Sequence, residues 1–230
     1  LPEFLRNALA GPPHFSIATA QGVLVPSRLP SGGQGERYRL GDSGLVAQVK
    51  VAVDPAHRVA VQSITLVNEG HAPSPPIHDL STLSLTLQGG PHVRPELHWI
   101  HGGLTHHIYP PLAYRENTAS FGARSSQGRG WGHALASGPD GRSSNQDLPI
   151  LQVQWVDEHG SSGFWAALEW SGTWTLGLER LDRAAWRFHG GPQVNGLVLD
   201  PGEALVLPDS HLGLFAGGVE EGGNSARRYI

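Results

Sequence analysis

Apolar and polar side chains alternate along most of this 230-residue chain with the period of two that puts successive residues on opposite faces of a strand. Val49, Val51 and Val53 alternate with Gln48 and Lys50, and after the turn Asp54-Pro55-Ala56-His57 the run Arg58–Asn68 reads as a second strand. Leu83, Leu85 and Leu87 alternate with Thr82, Ser84 and Thr86; Leu151, Val153 and Trp155 alternate with Gln152 and Gln154. Phe164, Ala166, Leu168 and Trp170 share one face, opposite Trp165, Ala167 and Glu169. Trp174, Leu176 and Leu178 follow the turn Ser171-Gly172-Thr173, which predicts a hairpin that brings Trp170 and Trp174 together. Shorter strands are predicted within Phe15–Val25 and at Trp186–Phe188, Leu197–Leu199 and Leu205–Leu207, and Leu1–Leu9 fits a short helix.

The alternation fails in two places. From Gly89-Gly90-Pro91 to about Asp147 the chain is rich in His, Tyr, Arg and Gly and reads as a long irregular stretch, the usual sign of functional loops or an assembly surface. His211–Ile230 does not read as a strand, and Ser225-Ala226-Arg227-Arg228 begins a helix. With 31 Gly and 18 Pro scattered as turn punctuation, the pattern predicts an all-β fold with little helix, a large antiparallel β-sandwich in one domain.

Charge and composition narrow the functions available. A net charge of −4 with Lys50 as the only lysine argues against nucleic-acid and anionic-membrane surfaces. No apolar run approaches the roughly 18 residues of a membrane span. The absence of cysteine removes disulfide and thiolate chemistry, and the absence of methionine predicts a trimmed N-terminus, which leaves a signal peptide open.

Thirteen histidines invite a metal reading, but His98 and His101, three apart on a strand, point to opposite faces, as do adjacent His106 and His107, so no metal site is expected. Asp79, Glu96, Glu116, Asp140, Asp147 and Glu169 are available carboxylates with no spacing that forces a catalytic pair. No cofactor motif is found. A sugar surface fits better, since Trp, Tyr and His stack on pyranose rings while Arg, Asn and Asp bond hydroxyls. Trp155, Trp170 and Trp186 are expected in the core, and Trp99 and Trp131 exposed.

Several stretches together resemble one family. Gly141-Arg142-Ser143-Ser144, followed by Pro149, resembles the Gly-Arg-Ser-Ser-His…Asn-Pro motif in the N-terminal domain of glycoside hydrolase family 36 α-galactosidases. Gly163-Phe164 through Trp170-Ser171-Gly172-Thr173-Trp174 resembles its Gly-Phe…Ser-Gly-Asn-Phe/Trp signature, and Asp200-Pro201-Gly202-Glu203 with Leu207-Pro208 its Pro-Gly-Glu…Pro-Glu element. Asn68-Glu69-Gly70 leading to Leu80–Leu87 resembles its Asn-x-Gly…Leu-x-Ser-Leu strand pair. Asn145, Leu148 and Thr173 depart from the family's His, Asn and Asn.

The resemblance implies a galactose-mutarotase-like β-supersandwich, followed in the parent protein by a (β/α)₈ barrel that carries two catalytic aspartates of a retaining mechanism. The barrel is expected after Ile230, so catalysis is not expected of this chain alone. Its implied partners are that barrel, further copies of itself in a homo-oligomer, and α-galactoside sugars, in a cytoplasmic rather than secreted protein. Trp99, His101, His106, His107, Tyr109, Trp131 and Arg142 become the substrate-proximal or interface residues. Gly141, Ser143, Ser144, Trp170, Ser171, Gly172, Trp174, Pro201, Gly202 and Glu203 become fold-signature residues, with Trp165 and Glu169 the better ligand candidates in the tryptophan-rich stretch. A free-standing carbohydrate-binding module and a mutarotase-like epimerase stand as alternatives.

Overall fold

A computed structural model describes residues 3–10, 13–30, 35–88, 95–101, 115–120, 132–137, 146–157, 160–182 and 184–230. The chain enters through α1 (Glu3–Ala10) and continues as β1 (Ser16–Thr19), β2 (Gly22–Val23), β3 (Pro26–Leu29), β4 (Glu36–Leu40), β5 (Leu45–Asp54), β6 (Val59–Asn68), β7 (Ile77–Ser81) and β8 (Leu83–Gln88). Then come β9 (Pro95–His101), β10 (Arg115–Ser120), β11 (Gly132–Ala136), β12 (Asp147–Asp157), β13 (Gly160–Leu168), β14 (Trp174–Arg180), β15 (Ala185–Pro192), β16 (Ala204–Val206), β17 (Ser210–Ala216) and α2 (Val219–Tyr229).

Among the described residues the strands make three antiparallel sheets. The large sheet runs β10-β9-β12-β13-β17-β6-β5-β4-β3, with β16 also on β6; a four-stranded sheet runs β11-β14-β15-β8, and a three-stranded one β2-β1-β7. Both smaller sheets cover the same face of the large one. Ile64 and Leu66 of β6 enter the core beneath the three-stranded sheet, with Tyr38, Leu40, Leu45, Ile17 and Leu80. Leu212, on the same face, enters the core beneath the four-stranded sheet, with Val153, Trp155, Phe164, Leu176 and Phe188. The result is an all-β sandwich in which one broad sheet carries two cores.

Between the cores lies a buried polar junction. The Gln62 side-chain amide donates to the Thr82 carbonyl at 2.6 Å and to the His14 carbonyl at 3.2 Å, and the Ser210 hydroxyl donates to Thr82 Oγ1 at 2.7 Å. On the opposite face of the large sheet α2 lies over Trp165 and Phe215. No helix among the described residues is long and apolar enough to cross a membrane.

Four expectations change. The Trp170–Trp174 turn joins no hairpin: β13 pairs with β12 and β17, while β14 pairs with β11 and β15, so the turn arches from one sheet to the other. A period-2 pattern on both sides of a turn is common to hairpins and arches, since both bury one face of each strand. The stretch expected to be irregular contains β9, β10 and β11. His211–Ile230 holds β17, a central strand buried on both faces and therefore without alternation. Leu197–Leu199 is reduced to a single bridge from Leu197 to Ile77.

Candidate functional site

Of the residues expected near substrate, Trp99 and His101 are described, and both lie on β9 at one corner of the sandwich. β9 and β12 are neighbours, and Asp147 stands opposite His101 in their ladder, with a register shift between Asp147 and Leu151. Trp99, two residues before His101, turns toward the interior and packs against the main core. Its ring centroid is 4.4 Å from that of His133 on β11, with the planes tilted 39°. Trp99 is thus half-buried between the sheets rather than an exposed stacking platform. Burial holds the His133 imidazole below its ordinary value, and the nearby Asp147 charge opposes that shift. Asp147 is buried, and its Oδ2 accepts a 3.4 Å hydrogen bond from the Ala136 amide.

His106, His107, Tyr109, Trp131, Gly141, Arg142, Ser143 and Ser144 lie outside the described residues. The residues that flank two of those connections, His101 with Arg115 and Ser137 with Asp147, meet at this corner: Arg115 faces His101, and the Gln146 amide donates to the Ser137 carbonyl at 3.2 Å. Chemically the corner offers a neutral imidazole, an indole face and a buried carboxylate. Among the described residues no three His, Asp or Glu side chains are grouped to hold a metal.

The tryptophan-rich stretch divides differently from its expectation. Trp165 is 1% exposed, its indole N–H donates to Ser225 Oγ at 3.2 Å, and its ring packs on Tyr229 of α2. It cannot meet a ligand while α2 is docked. Trp170, expected in the core, is 40% exposed instead; its indole N–H donates to the Thr173 carbonyl at 3.1 Å. A Cβ on Gly172 would stand 2.7 Å from that indole nitrogen, so the ring folds back over this glycine. Trp174 is fully buried.

Glu169 keeps the exposure expected of it and meets two groups the sequence left unassigned. Its Oε1 lies 3.6 Å from His211 Nε2, and His211 Nδ1 lies 3.0 Å from the Tyr229 hydroxyl. Burial, followed by the charges of Glu169, Asp54 and Asp209, raises the Tyr229 phenol above its ordinary value, which keeps its proton available for His211 Nδ1. Nothing in the alternation marks His211, because β17 is buried on both sides. Tyr229 was legible, since Gly222, Ser225, Ala226 and Tyr229 fall at helical spacing on the docked face of α2.

The remaining signature residues hold one another. The buried Asn68 side chain donates to the Ala72 carbonyl at 2.9 Å and the Leu199 carbonyl at 2.8 Å, and accepts from the Gly70 amide at 2.9 Å. Its own backbone exchanges hydrogen bonds with the Asp200–Glu203 turn, Asn68 N to the Glu203 carbonyl and Gly202 N to the Asn68 carbonyl. In that turn the Glu203 amide donates to the Asp200 carbonyl, Pro201 supplies its fixed φ, and Gly202 takes φ 82°, the combination of a type II turn. Glu203 Oε2 closes the turn by accepting from the Asp200 amide at 2.9 Å.

No family model matches the chain, and no curated protein matches it in sequence. Solved structures do match in fold. An α-galactosidase from Lactobacillus brevis aligns over 95% of this chain and 31% of its own, with a TM-score of 0.66 and 16% identity. A family 36 α-galactosidase from Geobacillus stearothermophilus, in complex with raffinose, aligns over 94% of this chain and 32% of its own at TM-score 0.59 and 15% identity. The galactosidase domain of an α-galactosidase–sucrose kinase aligns over 90% and 30%, with TM-score 0.58 and 16% identity. The chain therefore spans about a third of the length of these enzymes and has the fold of that third.

Proposed function

We propose that this chain is the non-catalytic N-terminal β-supersandwich of a family 36 α-galactosidase-like glycosidase. The observation that carries the reading is the near-complete coverage of the chain by one third of those enzymes. The signature elements add weight: the Asn68-Glu69-Gly70 and Asp200–Glu203 pieces, far apart in sequence, are hydrogen-bonded partners, so they act as one structural unit. In this reading residues 1–230 support a barrel that supplies the nucleophile and the acid/base carboxylate, and the domain also contributes to oligomer contacts. The corner of Trp99, His101, His133 and Asp147, with His106, His107, Tyr109 and Arg142 on the connections that leave it and Trp131 just before β11, faces the α-galactoside pocket. The parent is a retaining enzyme of the cytoplasm.

The coding sequence beyond Ile230 tests this directly. A following (β/α)₈ pattern with aspartates at strand ends is expected; an immediate stop codon overturns the reading. In the full-length protein Trp99→Phe, which keeps the ring against His133, is expected to preserve folding and raise KM for raffinose several-fold, because the indole N–H and the larger face are lost. An unchanged KM would detach the corner from the substrate.

A further inference from the structure

A second concave surface, distant in sequence from that corner, lies where the three-stranded sheet meets the arch between β13 and β14. We propose that this cleft binds a neutral saccharide. Its volume is about 470 Å³, inside the range of roughly 300–1,000 Å³ typical of small-ligand sites. Asp79 on β7, Thr173 just before β14, Thr175 on β14, and Gln193 and Asn195 after β15 are the polar residues that line it, with His78. Among the described residues none of the first five of these side chains makes a hydrogen bond within the chain, so their bonding capacity is open to a ligand.

The chemistry of the set selects the ligand class. Two hydroxyls and two amides both donate and accept, and a carboxylate accepts from adjacent hydroxyls, which suits a polyol. No Lys or Arg lines the cleft, which disfavours phosphates and carboxylates, and one carboxylate is too few for a metal ion. Trp170 does not line the cleft itself but adjoins it through Thr173 and offers an apolar face beside it. Its half-exposed indole is hooked to Thr173, itself a lining residue, and its orientation over Gly172 is fixed by that hydrogen bond. The floor is rigid, because the Gly191 backbone sits so close to the Leu80 carbonyl that no Cβ fits between them. Side chains on preorganised strand ends lose little entropy when a ligand arrives.

The test is a titration of the 230-residue chain followed by proton–nitrogen correlation spectra, with galactose, glucose and raffinose each taken to about 50 mM, enough to detect millimolar binding. Saturable shifts are expected at the Thr173, Gln193 and Asn195 amides and at the Trp170 indole. Asp79→Asn and Trp170→Ala are each expected to weaken binding about tenfold with the remaining spectrum intact. Should Trp170→Ala disturb the arch, the exposed Asn195→Ala gives the same readout from the other wall. Absence of saturable shifts with all three sugars overturns the proposal, as do shifts that map to another surface or ignore all three substitutions. The measurement involves no hydrolysis and no barrel, so its failure leaves the coding-sequence test of the parent's identity untouched.

Discussion

Asn68 carries more of the fold than its place at the end of a strand suggests. The sequence offers Asn-Glu-Gly as a turn signal, and a turn does begin there: the Asn68 side chain accepts from the Gly70 amide. What no local pattern could disclose is that the same amide group reaches the Leu199 carbonyl 131 residues away. Three hydrogen bonds, one buried and two partly buried, depend on this one side chain. Asn68→Ala would leave two carbonyls and an N–H unsatisfied, and each such buried group costs about 1–3 kcal/mol. A loss of roughly 3 kcal/mol or more is expected in urea unfolding at unchanged m-value. A shift below about 1 kcal/mol would show that water replaces the amide at this position. At the candidate corner legibility was of the opposite kind. Trp99 was recognisable as a chemistry-bearing residue, but its burial depended on β11, which the His- and Gly-rich composition around that strand concealed.

Among the elements, α2 shows how a short helix becomes part of a β-domain. Gly222, Gly223 and Asn224 give it little tendency to form alone, and docking supplies the stability. The Gln152 amide donates to the Val219 carbonyl at 3.0 Å, Ser225 receives the Trp165 indole N–H, and Tyr229 meets His211. Truncation after Gly218 is expected to uncover Trp165 and Phe215 and to red-shift the tryptophan emission while the far-UV strand signal persists. An unshifted emission would mean that the large sheet shields Trp165 without help. The β3–β4 pair makes a prediction in pH. Burial, and then hydrogen bonding to Glu36, pushes the Tyr38 phenol up to about 12 from its ordinary 10.0. The folded state therefore holds its proton where the unfolded chain releases it. Stability present below pH 10 is lost as pH rises toward 12. Tyr38→Phe is expected to flatten that alkaline decline; an unchanged slope would assign it to other groups. Strands with one solvent face were legible from alternation alone, whereas β17 and the two-sheet arch were not, because two-sided burial erases the period and a turn does not announce which sheet follows it.

At the scale of the molecule, one sheet carries two cores that meet at the Gln62, Thr82 and Ser210 junction, where β15 packs on β7, and along the strands that run beneath both. The cores differ in chromophores. Trp155, Trp174 and Trp186 lie in the first, with Trp99 against it, while the aromatic side chains of the second are Phe15 and Tyr38. Among the described residues tryptophan emission thus reports on the first core, on Trp165 beneath α2 and on exposed Trp170, but not on the second core, while far-UV circular dichroism follows the strands of both. In the unaltered protein the two signals are expected to fall together in urea, as they do for a cooperative domain. Thr82→Val keeps the side-chain shape but removes the acceptor for the buried Ser210 hydroxyl, a loss of about 1–3 kcal/mol at the point where the cores meet. If the polar junction couples the cores, the variant's two transitions separate. If they move to lower urea together, the coupling resides in β6, whose residues enter both the second core and the junction, and the broad sheet itself makes the sandwich one cooperative unit.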